Sequence, residues 1–548
     1  MTILRKKMSS CYWTAGSGPV ISFRQVSGAF IIGGRSINTF SPFTCIEMEE
    51  PGFLTIRDLL FSGNQNPDNP AIESPGYEPM TFQDLRKQVR SVVQTLNGLG
   101  YRRNDRIAVV MPDGPAAAVM IIAVMAGFTS IPLNPRSTGQ ESAALFSHLK
   151  ITAVVVQEGS ETPARQAAEQ QKIRIIRVVP DQKKAGMFRL EPVPSRITVE
   201  AEFSGPGDIA TLVITSGTTA LPKIIPYSQR LMAENAYRNL RIFRYAPDDR
   251  SLHILPLFHL FGLTAVLYPL FAGVTVICTR DFISRDFLPL LRTTRANCYG
   301  AVPALHQAIH AELKKAPPEA LSEVPLRFMV TGSSYLSDVV RQELEAMLQS
   351  VMVEVYGMSE ALYISVNRPY RNGSAGIPVI ESLRIVDENG ITLAQGKEGE
   401  IHIRGAGMFS GYENAPEETA AVFSGGWFRT GDVGYLDPDG YLFITGRVKE
   451  QINKGGEKIS PKELDLVLCS HPGIRDAMAF PVRDPALGED IAAMVVRDDD
   501  TLTEDAIRFF LLDHVAPSKV PRRIFFTDAI PKTPNGKSLR SAGTRQYS

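Results

Sequence analysis

The sequence is poor in cysteine, has no excess of either charge, and contains no apolar run long enough to span a membrane. Its five cysteines among 548 residues are scattered and lack CxxC spacing, which excludes a disulfide framework and a structural zinc site and indicates a reducing compartment. Lysine and arginine together number 58, as do aspartate and glutamate, so no net charge attracts nucleic acid or an acidic membrane. The longest apolar run, at about 115–128, is shorter than the roughly 20 residues that cross a bilayer and predicts a buried helix.

The first 46 residues contain no aspartate or glutamate, although arginine, lysine, serine and glycine are all present. Such an acid-free segment has two interpretations: an over-long start ahead of Met48, which we favour, or an organelle transit peptide. A secretory signal is excluded because no apolar stretch of about 7 to 15 residues follows the first charges. We therefore treat residues 1–47 as an extension outside the fold, and expect a cytoplasmic protein, or an organellar one if the extension is a transit peptide.

Helical and strand patterns alternate between about residues 80 and 280. Thr81, with Asp84 three residues later, predicts a capped helix start, and apolar residues follow at helical spacing. Buried strands are predicted at 106–111, 130–133, 152–156, 173–179, 209–214 and 274–278. This alternation is typical of parallel-rich sheets in an α/β fold.

The character of the chain changes after about residue 375, where glycines become dense and strand patterns follow one another without helices. Strands at 383–386, 399–404 and 440–445 predict a β-rich subdomain. From about residue 449, one helix and further strands predict a smaller α+β unit: the helix at 461–469 and the strands at 476–482, 492–496 and 523–526. We expect a large N-terminal domain over 48–446, with α/β layers and the β-rich subdomain, and a small mobile C-terminal domain over 447–548.

The predicted strand at 209–214 leads into a segment rich in hydroxyls, Thr-Ser-Gly-Thr-Thr-Ala-Leu-Pro-Lys at 215–223. Hydroxyl and backbone N–H groups can donate to phosphate oxygens, glycine allows close approach of the backbone, and lysine adds a cation. The spacing does not match the GxxxxGK[ST] phosphate loop. This segment alone is compatible with two interpretations, an anion-binding loop (an anion cradle) and an ordinary Ser/Thr-rich turn.

Three later segments favour the anion cradle. Residues 355–360 (VYGMSE) place an aromatic ring, a glycine, a hydroxyl and a carboxylate close together. Residues 427–432 (WFRTGD) place a carboxylate in a predicted turn, where it could bridge two ribose hydroxyls. Residues 531–537 (PKTPNGK) place a lysine on a loop rich in proline and glycine. Each segment is a weak signal alone, but the four in this order are specific.

With these four motifs in this order, the chain resembles the adenylate-forming superfamily of acyl-CoA synthetases, peptide-synthetase adenylation domains and luciferases, over about residues 52–543. It is particularly similar to oxalate–CoA ligases and related short-chain acyl-CoA synthetases in residues 255–263, 301–307 and 447–468. The resemblance implies an ATP-dependent carboxylic acid–CoA ligase that acts on a small-molecule acid with ATP, Mg²⁺ and coenzyme A. The alternative is a stand-alone adenylating enzyme that loads an acyl carrier protein. A monomer or a homodimer is expected.

The resemblance also implies roles for individual residues, with Tyr356 stacked on adenine and the ribose bound by Asp432 and Arg447. The implied ATP contacts are Thr215, Ser216, Gly217, Thr218, Thr219, Lys223, Gly332, Ser333, Ser334, Glu354, Tyr356, Gly357, Ser359, Asp432, Arg447 and Lys537. The implied catalytic residues are Lys537, Lys223, Glu360, Ser359 and His259, and the implied Mg²⁺ ligands are Glu360 and Thr218. The implied lining of the acyl pocket is His259, Phe261, Gly262, Val302, Gly332, Met358 and Ala361. The implied coenzyme A contacts are Lys454, Gly455, Gly456 and Glu457, and the implied interdomain hinge is Lys449.

The chain departs from the family pattern in two places. Ala220 and Ile224 stand where glycines are usual in the phosphate loop, which predicts a stiffer loop. Phe261 stands two residues after His259, where oxalate-type enzymes tend to have a second histidine. Because a phenyl ring cannot pair with a second carboxylate, we expect oxalate to be a poor substrate and uncharged acyl tails to be preferred. His259 is expected to be either a lid over the acid or a core histidine.

Overall fold

The computed structural model describes two short strands near the N-terminus and most of the chain from residue 54 onward. The described residues are 31–32, 35–36, 54–61, 65–192, 199–215, 222–246, 248–322, 324, 326–498, 500–532 and 538–547. The chain divides into two compact units, Met1–Glu50 and Pro51–Ser548. In the first unit, strands β1 (Ile31–Ile32) and β2 (Arg35–Ser36) pair antiparallel.

The second unit begins with alternating helices and strands. Up to residue 192 these are α1 (Ile56–Phe61), β3 (Pro70–Glu73), β4 (Met80–Thr81), α2 (Phe82–Gly98), β5 (Arg106–Val110), α3 (Pro115–Gly127), β6 (Thr129–Pro132), α4 (Gly139–Leu149), β7 (Ala153–Gln157), α5 (Pro163–Gln170), β8 (Arg174–Pro180) and β9 (Phe188–Glu191). Up to residue 378 they continue as β10 (Ile209–Thr215), β11 (Lys223–Ser228), α6 (Gln229–Phe243), β12 (Arg250–His253), α7 (Leu260–Phe271), β13 (Thr275–Cys278), α8 (Phe287–Thr294), β14 (Cys298–Ala301), α9 (Pro303–Leu313), α10 (Pro318–Ser322), β15 (Phe328–Gly332), α11 (Asp338–Leu348), β16 (Met352–Met358), β17 (Ala361–Asn367) and β18 (Ile377–Pro378).

Strands predominate in the next part of the chain, and a smaller group of elements follows it. The strand-rich part has β19 (Ser382–Val386), β20 (Gly399–Arg404), α12 (Pro416–Val422), β21 (Phe423–Ser424), β22 (Trp427–Leu436) and β23 (Leu442–Arg447). The last group has β24 (Ile452–Lys454), β25 (Glu457–Ile459), α13 (Pro461–Cys469), β26 (Ile474–Asp484), β27 (Gly488–Arg497), α14 (Glu504–Leu512), β28 (Arg523–Phe526) and α15 (Arg540–Tyr547). Short 3₁₀ turns lie at Ser284–Asp286, Val448–Glu450 and Pro517–Lys519.

Local sequence explains where the helices begin and which of them are enclosed. The predicted start of α2 is confirmed: the Thr81 hydroxyl accepts from Asp84 N, and the Asp84 carboxylate accepts from Thr81 N. The reciprocal pair satisfies two N–H groups that a helix start otherwise leaves free. The predicted buried helix is α3, in which every residue is buried, because a helix that is apolar all round must be covered on every side.

Two large sheets with parallel central strands form the body, which confirms the expected α/β class. One sheet has the order β11-β10-β6-β5-β7-β8-β9, in which β6, β5, β7 and β8 run parallel. The other has the order β18-β17-β16-β15-β14-β12-β13-β3-β4. Its parallel strands are β16, β15, β14, β12, β13 and β3. Such strands are buried on both faces by the crossing helices, as in β5 and β7.

The strand-rich region and the last group of elements each form a further sheet. The first has the order β19-β20-β22-β21, with β23 on β22. The second has the order β25-β24-β27-β26, with β28 parallel to β27. The Ser460 hydroxyl before α13 donates to the Thr445 carbonyl on β23, so the two sheets are in contact. Among the described residues, none of the helices is both long and apolar enough to cross a bilayer.

Candidate active site

The predicted site residues gather at the carboxyl ends of neighbouring parallel strands. His259 follows β12 by a short loop, Val302 directly follows β14, Gly332 ends β15 and Met358 ends β16. In open α/β sheets, ligands bind in the crevice outside this edge. Because β12, β14, β15 and β16 are neighbours in one sheet, residues separated by long stretches of sequence come to the same edge.

The hairpin β16–β17 is the centre of the site. Its first strand lies parallel to β15, and Gly332 pairs with Val355. A Cβ atom on Gly332 would lie only 3.3 Å from the Val355 carbonyl oxygen, so glycine permits this close approach. The exposed Ser333 follows with a positive φ of 75°, which turns the chain at the end of β15. The residues predicted for adenine at 332–334 and 354–357 therefore lie side by side.

Tyr356, Asp432 and Arg447 form one hydrogen-bonded unit. The Tyr356 hydroxyl donates to Asp432 Oδ2 at 2.5 Å, and Arg447 Nε donates to Asp432 Oδ1 at 2.9 Å. Asp432 is 4% exposed, and its register partner on the neighbouring strand is Arg447. Burial raises the pKa of the Tyr356 phenol, and the Asp432 charge raises it further, so the phenol stays protonated and keeps donating.

The position of Asp432 corrects one prediction. The segment WFRTGD was expected to place an isolated carboxylate in a turn, but Asp432 lies inside the ten-residue strand β22. Asp432 pairs with Arg447 on β23, but the pairing with β20 shifts register over residues 430–432. Gly431 has a φ of 72° there and Asp432 N donates to the Thr430 hydroxyl, so the Thr-Gly-Asp segment forms an irregularity within the strand. The carboxylate is not isolated either, since it accepts from a tyrosine and an arginine.

A second polar group surrounds the Ser359–Glu360 turn that joins β16 to β17. Glu360 is 9% exposed, and its Oε1 accepts from the Tyr412 hydroxyl at 2.8 Å. Lys223 Nζ lies 4.3 Å from the centre of the Tyr412 ring, which is within cation–π range. The Tyr227 hydroxyl donates to the Ser359 carbonyl oxygen at 2.7 Å. The predicted catalytic residues Lys223, Ser359 and Glu360 are thus brought together.

Tyr412 and Tyr227 were not predicted from the sequence. Tyr412 lies 52 residues after Glu360 in a glycine-rich stretch, and Tyr227 lies in a strand of ordinary composition. No local pattern distinguishes either ring from a core tyrosine. Their phenols buttress the turn that carries Ser359 and Glu360.

The predicted phosphate-binding loop joins β10 to β11. Thr215 and Lys223 are register partners across this antiparallel pair, and the Thr215 hydroxyl donates to the Lys223 carbonyl at 3.1 Å. The two ends of the loop are therefore held together beside the Glu360 turn. The remaining loop residues of the prediction lie outside the described residues: Ser216, Gly217, Thr218 and Thr219.

Glu354 is a half-buried carboxyl group on the adenine side of the predicted site. Burial raises its pKa to about 7, although Asn367 Nδ2 donates to Glu354 Oε2 at 2.8 Å. Asn367 is its register partner on β17 and also donates to two backbone carbonyls. Glu354 is therefore held in place by a fixed neighbour and titrates near neutral pH.

Phe261, in the first turn of α7, lies among apolar side chains. Its ring reaches within 3.3 Å of the place that a Cβ on Gly300 would occupy. The apolar cluster that it joins also includes Phe243, Phe328, Val330 and Tyr363. The ring thus borders the carboxyl ends of β14 and β15 on an apolar wall.

His259 occupies the N-cap position of α7 and is only half-buried. Its ring centre lies 4.4 Å from that of Phe258, and burial lowers its pKa, so the imidazole is neutral at pH 7. The enclosed histidines are His253 and His306, whose pKa values burial lowers to about 4. His259 is distinguished from these core histidines by its exposure at a helix start.

Two glycines of the prediction serve close packing. A Cβ on Gly262 would lie 2.0 Å from the Pro256 carbonyl oxygen, and one on Gly357 would lie 1.9 Å from the Leu362 carbonyl oxygen. Met358 and Ala361 pair at the tip of the β16–β17 hairpin. At these positions small residues and strand pairing set the path of the backbone around the predicted site.

The C-terminal part carries the predicted coenzyme A loop and hinge. Lys454 and Glu457 pair at the end of the β24–β25 hairpin, and Gly455 and Gly456 form its two-residue turn with φ of 60° and 97°. Positive φ at both turn positions strongly favours glycine. Lys454 Nζ lies 2.7 Å from Asp490 Oδ1.

The predicted hinge, Lys449, is exposed in the 3₁₀ turn Val448–Glu450 that directly follows β23. Lys537 lies outside the described residues. The segment that contains it is flanked by an antiparallel bridge between Lys532 and Ser538. Lys532 Nζ lies 2.6 Å from Asp476 Oδ2, which attaches the start of this segment to β26.

Known proteins are similar to this chain in sequence and in fold. Residues 61–413 match the family described as AMP-binding enzyme, and residues 463–537 match the AMP-binding enzyme C-terminal domain. Oxalate–CoA ligase from Arabidopsis thaliana is 35% identical over 491 residues, covering 86% of this chain and 95% of the relative. Sulfoacetate–CoA ligase from Cupriavidus necator is 29% identical over 488 residues, covering 87% of this chain and 94% of the relative. ATP-bound MatB from Rhodopseudomonas palustris superposes with a TM-score of 0.80 at 27% identity, covering 90% of this chain and 99% of that one.

Proposed function

The chain belongs to the AMP-binding enzyme family and is an ATP-dependent acid–CoA ligase, and from this premise we propose that it activates a monocarboxylic acid with an uncharged tail. One observation carries the proposal: three groups meet around the carboxyl ends of β14, β15 and β16 although they come from different sheets. They are the Tyr356–Asp432–Arg447 unit, the group formed by Lys223, Tyr412 and Glu360, and the apolar wall around Phe261. A nucleotide and an acyl tail can therefore be bound side by side.

The first half-reaction joins two anions, so charge neutralisation is its main requirement. The acid carboxylate attacks the α-phosphorus of ATP, the bond to the β-phosphate oxygen breaks, and pyrophosphate leaves. We assign Lys223 and Lys537 to offset the repulsion between carboxylate and triphosphate. Tyr356 would stack on adenine, and Asp432 would accept from the ribose hydroxyls while Arg447 holds its other oxygen.

A divalent cation fits the same place. Mg²⁺ is usually bound through one or two carboxylates together with substrate phosphates, and Glu360 offers one buried carboxylate whose Oε1 is positioned by Tyr412. Among the described residues, no cluster of three or more acidic, histidine or cysteine side chains forms a protein-only cage. We propose that Glu360 and Thr218 hold Mg²⁺ together with ATP. The ion would supply positive charge against the phosphate oxygens.

The second half-reaction transfers the acyl group to a thiol. The thiol sulfur attacks the acyl carbonyl, the bond to the AMP oxygen breaks, and AMP departs. We propose that rotation of the C-terminal domain about Lys449 withdraws Lys537 and brings the Gly455–Gly456 turn to the site. Coenzyme A is the acceptor; a carrier-protein phosphopantetheine, which offers the same thiol, is the alternative.

The apolar wall selects the acid. Burying an unpaired carboxylate costs several kcal/mol, and Phe261 offers no donor to a second carboxylate. We therefore expect monocarboxylates to be preferred over oxalate, in contrast to what the name of the Arabidopsis relative says of that protein. The neutral His259 would close over the carboxylate that reacts.

The test is an acid panel read in two half-reactions. Exchange of labelled pyrophosphate into ATP measures adenylation, and thioester formation is measured with coenzyme A and, separately, with a carrier protein. Lys537→Ala should abolish exchange yet spare thioester formation from a supplied acyl adenylate. Equal loss in both steps would contradict the assigned role, and absence of exchange with every acid would contradict the proposed function.

A further inference from the structure

A group of polar side chains, three of which have a buried atom without a hydrogen-bond partner among the described residues, lies on α6, α7 and β17. It comprises Asn235 and Asn239 on α6, Tyr268 on α7 and Tyr363 on β17, and we call it the Asn–Tyr cluster. Asn235, Asn239 and Tyr268 are 1%, 5% and 0% exposed. Among the described residues, Asn235 Oδ1, Asn239 Oδ1 and the Tyr268 hydroxyl have no hydrogen-bond partner.

The amide nitrogens of the two asparagines are already used. Asn239 Nδ2 donates to the Tyr363 hydroxyl at 2.8 Å, and Asn235 Nδ2 donates to the Leu231 and Gly407 carbonyls. These bonds fix the orientation of both amide groups through their nitrogens, and the amide oxygens take no part in them. A buried carbonyl oxygen without a hydrogen-bond partner is energetically unfavourable, and such groups in a native protein call for a bound partner.

The Asn–Tyr cluster adjoins the apolar wall of the proposed acid site. Tyr363 belongs to the same apolar cluster as Phe261. Tyr268 lies on α7 and Tyr363 on β17, and α6, which carries both asparagines, packs against these two elements. The Asn239–Tyr363 pair therefore borders the apolar wall around Phe261, along which we propose that the acid tail lies.

The chemistry of the unpaired atoms selects the group that would fit. Asn235 Oδ1 and Asn239 Oδ1 require a donor, whereas the Tyr268 hydroxyl can donate to an acceptor. A hydroxyl group both donates and accepts, a ketone could satisfy only the phenol, and an alkyl chain could satisfy none. A carboxylate would face two amide oxygens, and an ammonium would be buried without a counter-charge.

Resting on the proposed function, we infer that the Asn–Tyr cluster recognises a hydroxyl on the tail of the substrate acid. The enzyme then prefers a hydroxy acid, aliphatic or phenolic, to the same acid without the hydroxyl. A site built to bond a substrate hydroxyl can discriminate against its absence by several orders of magnitude. We expect a preference of at least about 10-fold in kcat/KM here.

The experiment compares matched acids that differ only in one hydroxyl. One arm uses medium-chain fatty acids with and without a terminal hydroxyl, and the other uses cinnamate with and without a ring hydroxyl, so that the two sources are distinguished. In the wild type, one arm should show the preference. Asn239→Leu, similar in volume, and Tyr363→Phe should each reduce the ratio towards 1.

The control is Ser204→Ala. Ser204 also has a buried hydroxyl without a partner among the described residues, but its backbone N–H bonds to α3 at Ala126. Its removal should leave the ratio unchanged. The inference would be overturned by a kcat/KM ratio near 1 in both arms of the wild type, or by an unchanged ratio in Asn239→Leu and Tyr363→Phe. Internal water would then be the partner of the unpaired atoms.

A second readout separates this inference from the proposed function. The thermal shift caused by each acid, without ATP or coenzyme A, measures binding alone. A larger shift with the hydroxy acid, lost in Asn239→Leu, supports the cluster even if no thioester forms. Thioester formation without any difference between matched acids leaves the proposed function standing and overturns the cluster.

Discussion

Replacing Glu354 with glutamine should stabilise the protein at alkaline pH and leave its stability unchanged in acid. Burial raises the Glu354 pKa from 4.5 to about 7, and nearby Asp338 raises it while Asn367 and Arg341 lower it. The folded protein thus holds this proton more tightly than the unfolded chain does. Stability therefore falls as pH rises from about 4.5 to about 7, and above pH 7 the full cost of the buried charge is present.

The magnitude follows from the two pKa values. Their difference, 7 minus 4.5, is about 2.5, which corresponds to about 3 kcal/mol at about 1.36 kcal/mol for each pKa unit. Because the side chain is only partly withdrawn from water, we expect a gain of about 2 kcal/mol for Glu354→Gln above pH 8. Glutamine keeps an oxygen that can accept from Asn367, so the hydrogen bond is retained.

The assay is urea unfolding of both proteins at pH 5 and pH 8.5 in the absence of nucleotides. The difference in the free energy of unfolding should be less than about 1 kcal/mol at pH 5 and about 2 kcal/mol at pH 8.5. Glu400→Gln is the control of opposite sign: although burial raises the Glu400 pKa, the nearby His402 and the hydrogen bond from Arg429 lower it overall. That variant should lose stability at pH 8.5 and little in acid. An equal difference for Glu354→Gln at both pH values would refute the reasoning.

Four other changes test the proposed site. Phe261→His should shift the ratio of kcat/KM values towards oxalate by roughly 10- to 1000-fold with little change in the KM for ATP; efficient turnover of oxalate by the wild type would show that other groups neutralise the second carboxylate. Lys449→Pro fixes φ near −65° and should slow thioester formation far more than adenylation, with a thermal melt to confirm folding. Asp432→Asn weakens the bond from Arg447 and should raise the KM for ATP by about 10-fold; an unchanged KM would contradict the ribose role. A chain that begins at Met48 should keep the melting temperature and activity of the full chain, and loss of its thermal transition would show that residues 1–47 contribute to folding.

Short-range patterns were sufficient to predict much of the fold. The predicted strands at 106–111 and 152–156 are β5 and β7, and the apolar run at 115–128 is α3. Thr81 begins α2 as expected. These features depend on residues a few positions apart, whose spacing matches the period of a helix or strand. The layered α/β class follows from their alternation.

The partners within the site could not be predicted in this way. Tyr356 and Asp432 are 76 residues apart in the chain, and Glu360 and Tyr412 are 52 apart. The motif order indicated that the first pair serves one nucleotide, but nothing in either segment indicates that the phenol donates to the carboxylate. The turn predicted around Asp432 is an irregularity within β22 instead, because Asp432 pairs with Arg447 on β23, a strand whose position the local sequence does not reveal.

Residue type and local spacing predict the chemistry that we propose for this chain: hydroxyls and a lysine for phosphate, a carboxylate for ribose, and a phenyl ring at Phe261 where a donor would suit a diacid. Burial and hydrogen bonding in the tertiary structure determine the pKa of each group and whether its polar atoms are paired. The raised pKa of Glu354 and the unpaired oxygens of Asn235 and Asn239 depend on which distant side chains surround them. Such surroundings arise from packing between residues that are far apart in the sequence. They therefore cannot be predicted from a short window of neighbouring residues.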